Sequence, residues 1–335
     1  FKQKTAYEIM PSLVGSEMCI RDRTFGARYA GVPYGKYVLD YKELVRAQLK
    51  VLQDFDIDVV TLCSDPCREA ADLGAPIRYF PDQPPTPDHK KPLIAEKSDL
   101  KRLTVPDPLG GGRMHDRVKG VEALAKEVGG EVPILGWIEG PIAEAADLRG
   151  INRIMYDVVT DRPFVEDLFA FILEVETAFA RAQIEAGADW IGIGDAAASL
   201  VDPDTYNTLV MPAERELIRR VHELGARVRL HICGKIDHIL PGMARVGADM
   251  IDVDSLTDIG VARKHLGGEV LILGNLDPVK HCAEKSPEEV IEEVKTCAAK
   301  VGDKYVVGAG CELPPHTPPE NLHAMVKAGE ILARS

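Results

Sequence analysis

Hydrophobic and polar positions alternate with two different periods along most of the chain. Residues 40–55, "DYKELVRAQLKVLQDF", place apolar side chains three and four positions apart, which predicts an amphipathic helix. Asp40 and Glu43 stand at its start with the spacing of a capping box. The short apolar run "DIDVVTLC" that follows predicts a buried strand. A helix followed by a buried strand indicates the start of an α/β pattern.

The same alternation continues from residue 114 to the end of the chain. Six further apolar runs predict strands, and a helical stretch follows each of them: "VPILGWIE", "DWIGIGD", "RVRLHIC", "DMIDVD", "VLILGNLDP" and "KYVVGAGC". One unit recurs, because the segment 185–195, "EAGADWIGIGD", has the same pattern as the segment 245–254, "RVGADMIDVD". In both segments a helix end and a glycine precede a short strand that closes on an acid.

Strands as apolar as these are buried on both faces, which is typical of a parallel sheet covered by helices. Seven strands are visible after residue 40, and one displaced N-terminal strand would make eight. We therefore predict an α/β fold, a (β/α)8 TIM barrel, formed as a single domain by residues 24–335. A doubly wound open sheet is the alternative, although no GxGxxG loop follows an early strand. Residues 64–113 are rich in proline and predict an insertion after the first strand that could serve as a lid.

The first 23 residues, "FKQKTAYEIMPSLVGSEMCIRDR", show no helical or strand period and resemble translated sequencing-adapter read-through. We predict that residues 1–23, including Cys19, are an artefact outside the fold and that the native start is missing. We also find no secretory signal in this segment, since an apolar core followed by small residues is absent from its sequence.

The composition narrows the class of protein. The formal charge of the 335-residue chain is −13, which argues against a nucleic-acid partner because polyanions bind to basic patches. No apolar stretch of the sequence reaches the roughly 18 residues of a membrane span, so we expect no membrane association. Seven cysteines are an odd number without the density of a disulfide scaffold. This usage predicts a reduced, cytoplasmic protein in which cysteines pack, bind metal or react.

Polar side chains stand at the end of every predicted strand. The C-terminal ends of barrel strands converge on one mouth, where the active sites of such barrels lie. The residues at these ends are Cys63, Asp65, Glu139, Asp195, His231, Cys233, Asp252, Asp254, Asn275, Asp277 and Cys311. Glu139 and Asp195 are candidates for an oxygen ligand or a substrate contact, and a structural hydrogen-bonding role is the alternative for both.

The strand that ends in "HIC" brings His231 and Cys233 to the same side, because alternate side chains of a strand point together. Cys311, at the mouth end of the last strand, is a candidate third ligand. One His and two Cys suit Zn2+, and three protein ligands leave a position open, as in catalytic sites. Two thiolates largely offset the charge of the metal, so this set favours activation of a thiol for alkyl transfer over hydrolysis. The alternative is that the cysteines only pack and that the histidine satisfies a local hydrogen bond.

Several segments together resemble the uroporphyrinogen decarboxylase superfamily over roughly residues 25–335. They are "CSDP" (63–66), "GWIEGP" (136–141), "IGIGDAAAS" (191–199), "LHICG" (230–234), "LILGNLDP" (271–278) and "VGAGCELPPHTPPENL" (307–322). The resemblance implies a (β/α)8 barrel. It also implies that Asp65 occupies the place of the catalytic aspartate of the decarboxylases, where it orients a substrate or caps a turn.

Two branches of this superfamily are relevant. Decarboxylases use no metal and carry a histidine in a "GHG" turn, where this chain has Cys311 in "GAGCE". The chain is more similar to the methylcobalamin:coenzyme M methyltransferases, whose zinc ligands match His231, Cys233 and Cys311 one by one. This resemblance implies a zinc-dependent enzyme that moves a methyl group from a corrinoid protein to a thiol such as coenzyme M. A porphyrinogen decarboxylase and a non-catalytic protein of a corrinoid system are the alternatives. The decarboxylase would need a basic cluster at the mouth, to which Arg28, Arg68, Arg78 and Arg113 could contribute.

Overall fold

The computed structural model describes residues 23–334, so the artefact prediction for residues 1–23 lies outside the described residues apart from Arg23. Seven parallel strands form one curled sheet, and their order across the sheet is their order along the chain. We number them β1 (Val60–Thr61), β2 (Ile134–Glu139), β3 (Trp190–Gly194), β4 (Arg227–Ile232), β5 (Met250–Val253), β6 (Leu271–Leu276) and β7 (Tyr305–Ala309).

Fourteen α-helices of the described chain precede, connect and follow these strands. They are α1 (Arg23–Tyr29), α2 (Tyr34–Leu39), α3 (Tyr41–Phe55), α4 (Arg68–Asp72), α5 (Arg113–Val128), α6 (Pro141–Arg149), α7 (Ile151–Thr160), α8 (Arg162–Glu185), α9 (Pro203–Thr205), α10 (Met211–Glu223), α11 (Leu240–Met243), α12 (Ile259–Leu266), α13 (Pro287–Val301) and α14 (Pro319–Ala333). Short 3-10 helices cover Lys97–Arg102 and Ala196–Leu200, and π-helical turns cover Tyr206–Val210 and Pro278–Ala283.

The fold is a single TIM-barrel-like domain, as the alternation of strands and helices predicts. The strand order runs through the sheet without a reversal. This order excludes the doubly wound alternative, in which the order reverses at a switch point. The number of strands differs from the prediction, because within residues 23–334 only helices α1, α2 and α3 precede β1. The predicted eighth strand would therefore fall outside the described residues.

Alternate residues of the strands face opposite sides of the sheet, and the buried apolar ones form two separate clusters. Val228, Leu230 and Ile232 of β4 belong to the larger cluster, which packs between the sheet and the helices. Side chains of the opposite parity face the inside of the barrel and form a smaller cluster: Cys63, Leu135, Trp137, Trp190, Met250, Leu271, Leu273 and Val306. This separation follows from the two-residue period of a strand.

Trp137 fills the inside of the barrel because its neighbouring strand lacks side chains there. Gly192 and Gly194 lie on the inward face of β3, next to β2. A Cβ atom on Gly192 would lie 2.2 Å from Cε3 of the Trp137 ring, and one on Gly194 would lie 3.1 Å from Cζ2. The glycines of "WIGIG" thus leave the space that the indole ring occupies.

We expect Gly192→Ala to lower the free energy of unfolding by about 1–3 kcal/mol, because the indole ring must shift to admit the methyl group. Chemical denaturation followed by Trp fluorescence would measure the loss. Gly268→Ala is the matched control, since a Cβ atom there meets no atom within 4 Å. Equal stability of the two variants would contradict this account of the barrel interior.

The start of α3 follows the predicted pattern only in part. Asp40 caps the helix by accepting a hydrogen bond from the backbone N–H of Lys42 at 3.0 Å. Glu43 forms an ion pair with Arg46 one turn further along, at 2.9 Å, in place of the predicted capping box. The competing cation accounts for the difference, because a surface carboxylate joins the nearest guanidinium group.

The proline-rich segment after β1 contains more structure than predicted for an irregular insertion. It includes α4, a short antiparallel pair of Ile77–Arg78 with Thr86–Pro87, and a 3-10 helix. Its second half is fastened to α6, since Nη1 of Arg149 donates to the carbonyl oxygens of Ile94 and Ala95 at 3.0 and 2.8 Å. A lid movement of this segment stays a prediction. Among residues 23–334, no helix has the length and apolar character needed to cross a membrane.

Candidate metal centre

Three potential ligands meet at the C-terminal ends of β4 and β7. His231 lies on the inward face of β4, Cys233 follows the strand by one residue, and Cys311 follows β7 by two. One ligand atom from each of the three lies within 4.8 Å of those of the other two, the only such group among the described His, Cys, Asp and Glu side chains. The imidazole is buried, while both cysteines are partly accessible. The fold thus brings together the three residues that the sequence pattern selects.

The distance between the two cysteine sulfurs fits a zinc ion, whereas the distance from His231 to Cys233 is shorter than a bound zinc requires. The Sγ atoms of Cys233 and Cys311 lie 3.9 Å apart. Two sulfurs bound at about 2.3 Å in a tetrahedral arrangement would lie about 3.8 Å apart. Nε2 of His231 lies 2.7 Å from Sγ of Cys233, in direct hydrogen-bond contact. A tetrahedral site would place these two atoms about 3.6 Å apart, so a bound metal would require them to separate by about 1 Å.

The conformation of the loops that carry the potential ligands depends on two glycines and one carboxylate. Gly310 precedes Cys311, and a Cβ atom there would lie 2.3 Å from the backbone nitrogen of Ser255. Gly234 follows Cys233 with a φ of 96°, a conformation that favours glycine. The backbone N–H of Gly234 donates to Oδ2 of Asp254 at 2.9 Å. These contacts tie the loops after β4 and β7 to the end of β5.

Asp65 is buried beside the mouth, at the end of β1, and is held by an arginine of α5. Nη2 of Arg113 donates to its Oδ2 at 2.7 Å, and the backbone N–H of Cys67 donates to its Oδ1 at 3.1 Å. Burial alone would raise the pKa of Asp65, but Arg113 and Arg68 lower it to about 2. Asp65 is therefore a carboxylate that caps a turn and anchors the insertion. A role in orienting a substrate stays a prediction.

Glu139 faces the inside of the barrel close to His231. Its neighbour in β3 is Gly194, which in turn pairs with His231 of β4, so a residue without a side chain separates the two. Nη2 of Arg68 donates to Oε1 of Glu139 at 2.8 Å, and the same nitrogen contacts Oε1 of Glu69 at 3.2 Å. The guanidinium group of Arg68 thus holds Glu139 at the edge of the site. Its contact with a substrate or a metal stays a prediction.

Asp195 projects toward the helices and away from the three ligands. Its Oδ1 accepts a hydrogen bond from the backbone N–H of Ala143 in α6 at 2.7 Å, and its carboxyl group adjoins that of Glu214. Burial raises the pKa of Asp195 well above its usual value, and the neighbouring carboxyl of Glu214 raises it further. These are the contacts of a structural residue. The catalytic role of Asp195 stays a prediction.

The remaining described cysteines lie away from the three ligands. Cys63, Cys67, Cys282 and Cys297 are buried, and none of them forms a disulfide bond within the described residues. Burial raises the pKa of the Cys67 thiol, and it raises that of Cys282 to about 12. High pKa values are those of inert thiols that pack in a core.

Two buried residues next to His231 have no assigned role in the prediction from sequence: Asp252 is there only one of the strand-end residues, and Arg229 is missing from them. Arg229 lies two residues before His231 on β4, and Asp252 lies opposite His231 on β5. Their side chains form an ion pair at 2.6 Å, and Oδ2 of Asp252 lies 3.5 Å from Nδ1 of His231. The two-residue period of "RVRLHIC" places Arg229 on the same face as His231 and is the signal that could have found it.

Comparisons with known proteins agree with this geometry. A family model described as Uroporphyrinogen decarboxylase (URO-D) matches residues 23–330. The Methylcobamide:CoM methyltransferase MtbA of Methanosarcina mazei is 30% identical over 251 residues, which cover 74% of this chain and 71% of that protein. The MtbA of Methanosarcina acetivorans is 31% identical over 244 residues, covering 72% and 70%. A uroporphyrinogen decarboxylase of Alkalilimnicola ehrlichii is 28% identical over 326 residues, covering 88% and 86%.

Comparison with solved structures supports the same fold. The solved structure of a methyltransferase from Methanosarcina mazei has a TM-score of 0.86 and 23% identity, and the match covers 95% of this chain and 94% of that one. A B12-independent methionine synthase from Shewanella has a TM-score of 0.59 and 16% identity, covering 88% of each chain. The chain therefore belongs to the uroporphyrinogen decarboxylase family, and these comparisons support a methyltransferase more strongly than a decarboxylase.

Proposed function

We propose that the protein is a zinc-dependent methyltransferase that moves a methyl group from a methylated corrinoid protein to a small thiol such as coenzyme M. The observation that carries this proposal is the His231, Cys233 and Cys311 set, whose ligand atoms lie within 4.8 Å of one another. Two relatives, at 30% and 31% identity, are named methylcobamide:CoM methyltransferases. Their names support the proposed donor and the proposed acceptor.

His231, Cys233 and Cys311 would hold the metal and leave one position for the acceptor. A zinc ion bound there would lower the pKa of the acceptor thiol while its two protein thiolates keep the acceptor sulfur electron-rich. Both cysteines are partly accessible at the barrel mouth, so a methyl donor can approach from outside. The described cysteines form no disulfide bond with one another, which supports a reducing, cytoplasmic setting.

Two of the four arginines considered for a basic cluster, Arg68 and Arg113, argue against the decarboxylase alternative. Binding several carboxylates of a porphyrinogen needs unpaired cations. Arg68 is instead buried against Glu69 and Glu139, and Arg113 is paired with Asp65 at 2.7 Å. Their charges are thus already balanced by carboxylates of this chain.

The remaining candidate residues act on the substrate or the fold, not on the metal. We propose that Glu139, held by Arg68 beside Gly194, contacts the bound acceptor. Asp65 would contribute by keeping the insertion closed against the end of β1 through Arg113. For Asp195 we propose a contribution through the position of α6, since it binds the N-terminal turn of that helix.

The test is the metal content and the methyl-transfer activity of the purified protein. We expect about one zinc per chain and thiol-dependent demethylation of free methylcobalamin, measured by its absorbance change with a panel of thiols that includes coenzyme M. Metal-free protein that consumes uroporphyrinogen would contradict the proposal in favour of the decarboxylase. Protein that binds zinc but turns over neither substrate would support the non-catalytic alternative.

A further inference from the structure

We propose that Arg229 and Asp252 are positioning residues that hold the His231 ring in its ligating orientation. The inference rests on the proposed function, because it concerns the same metal centre. Neither residue supplies a ligand atom to the group of three. Both lie inside the barrel next to His231 and act through its imidazole ring.

The pair is built as a rigid unit. Nε of Arg229 donates to Oδ1 and Oδ2 of Asp252 at 2.8 and 2.9 Å, and Nη2 donates to Oδ2 at 2.6 Å. Arg229 is 2% exposed and Asp252 is 1% exposed. The guanidinium carbon also lies 5.9 Å from the centre of the Trp137 ring. A planar cation with several short hydrogen bonds fixes the carboxylate in one orientation.

The two ring nitrogens of His231 face different partners. Nε2 points to Cys233 at 2.7 Å, and Nδ1 faces Oδ2 of Asp252 at 3.5 Å. Nδ1 is buried and has no hydrogen-bond partner among the described residues. A carboxylate that accepts a hydrogen bond from the outer ring nitrogen of a ligating histidine fixes the tautomer and the ring orientation.

The distance of 3.5 Å between Nδ1 of His231 and Oδ2 of Asp252 is at the outer limit of a hydrogen bond. A small adjustment of the ring would bring these two atoms into hydrogen-bond range. Asp252 is thus placed to accept a hydrogen bond from the outer nitrogen of a metal-bound His231.

The same two strands contain a matched pair that is remote from the metal centre. Arg227 and Asp249 form an ion pair at 3.1 Å, two residues earlier on β4 and just before β5. Arg227 lies four residues before His231, which separates their Cα atoms by about 13 Å along the strand. Loss of this pair should disturb the strands but not the ring orientation.

The test compares Asp252→Asn and Arg229→Met with Arg227→Met. Zinc affinity is measured by competition with a chromophoric chelator, and the ligand field is measured from the visible absorption of the Co2+-loaded protein. We expect the first two variants to bind zinc about 10–100-fold more weakly and to shift the d–d bands, while the thiolate charge-transfer bands remain. Arg227→Met should match wild type in both measurements.

Unchanged zinc affinity and Co2+ spectra in folded Asp252→Asn and Arg229→Met proteins would overturn the positioning role and leave the proposed function intact. Wild-type protein without zinc affinity would overturn the proposed function, and the positioning role with it. Asp252→Glu keeps the charge on a longer side chain and carries the test if the amide variant does not fold. We expect its affinity to lie between those of wild type and Arg229→Met, and a wild-type value with an unshifted spectrum would count against the pair.

Discussion

Cys311→Ser is expected to lose both zinc and methyl transfer. Cys311 alone joins β7 to the two ligands of β4, and its sulfur lies 3.9 Å from that of Cys233. Without it, one imidazole and one thiolate remain, which is fewer than the three protein ligands of a catalytic zinc site. We expect the metal content to fall from about one zinc per chain to below about a tenth, and the rate of thiol methylation to fall at least about 1,000-fold. Elemental analysis and the methylcobalamin assay would measure the two losses.

Cys297→Ser is the matched control for that variant. Cys297 is another cysteine without a disulfide bond, but it is buried on α13 with its Sγ 3.8 Å from Oδ1 of Asn275. This variant should retain its zinc and most of its activity. A Cys311→Ser protein that keeps a full equivalent of zinc would show that Cys311 is not a ligand.

Arg68→Met is expected to cause the largest loss of stability. The side chain of Arg68 is fully buried and contacts two buried carboxylates, those of Glu69 at 3.2 Å and Glu139 at 2.8 Å. Methionine fills similar space but leaves both carboxylates without a cation. Removing one partner of a buried ion pair costs about 3–5 kcal/mol. Chemical denaturation at pH 8 would measure the loss.

The loss in this variant should shrink as the pH is lowered. Burial already raises the pKa of Glu69 in the wild type, although Arg68 opposes the shift. Without Arg68, the pKa of Glu69 in the folded state rises further above its unfolded value of about 4.3. Between these two pKa values the folded state binds more protons than the unfolded state. The free energy of unfolding of the variant therefore falls as the pH rises between them, and we expect it to be higher at pH 5.5 than at pH 8.

Arg219→Met is the control, since Arg219 makes only surface ion pairs with Glu216 and Glu223 on α10. We expect little change in its unfolding at either pH, because exposed pairs contribute little. Equal losses in the Arg68 and Arg219 variants would contradict the account of the buried network.

The family and the barrel could be predicted because their signals are local. Short strands with apolar side chains on both faces, repeated with helices between them, indicate a parallel sheet without knowledge of any tertiary contact. The pairing of His231 with Cys233 also follows from the two-residue period of one strand. Cys311 could be added because the ends of all strands in such a barrel open on one mouth.

The contacts of the acidic candidates depend on partners from distant segments. Asp195 ends its strand as Glu139 does, yet it faces α6 and the helix layer while Glu139 faces the barrel interior. One residue of difference in strand parity sends a side chain to the opposite side of the sheet. Asp65 likewise depends on Arg113, which is 48 residues away along the chain.

The chain by itself determined the order of strands and helices, the parallel sheet, and three soft ligands at strand ends. Tertiary structure alone decided which side chains meet across the sheet. Arg229 and Asp252 belong to different strands, and their contact depends on the register in which Arg229 pairs with Met250 and His231 with Asp252. Strand periodicity is a property of adjacent residues, whereas lateral register is set by packing of the whole barrel. For that reason the three potential ligands could be predicted from the sequence, but the contact between Arg229 and Asp252 could not.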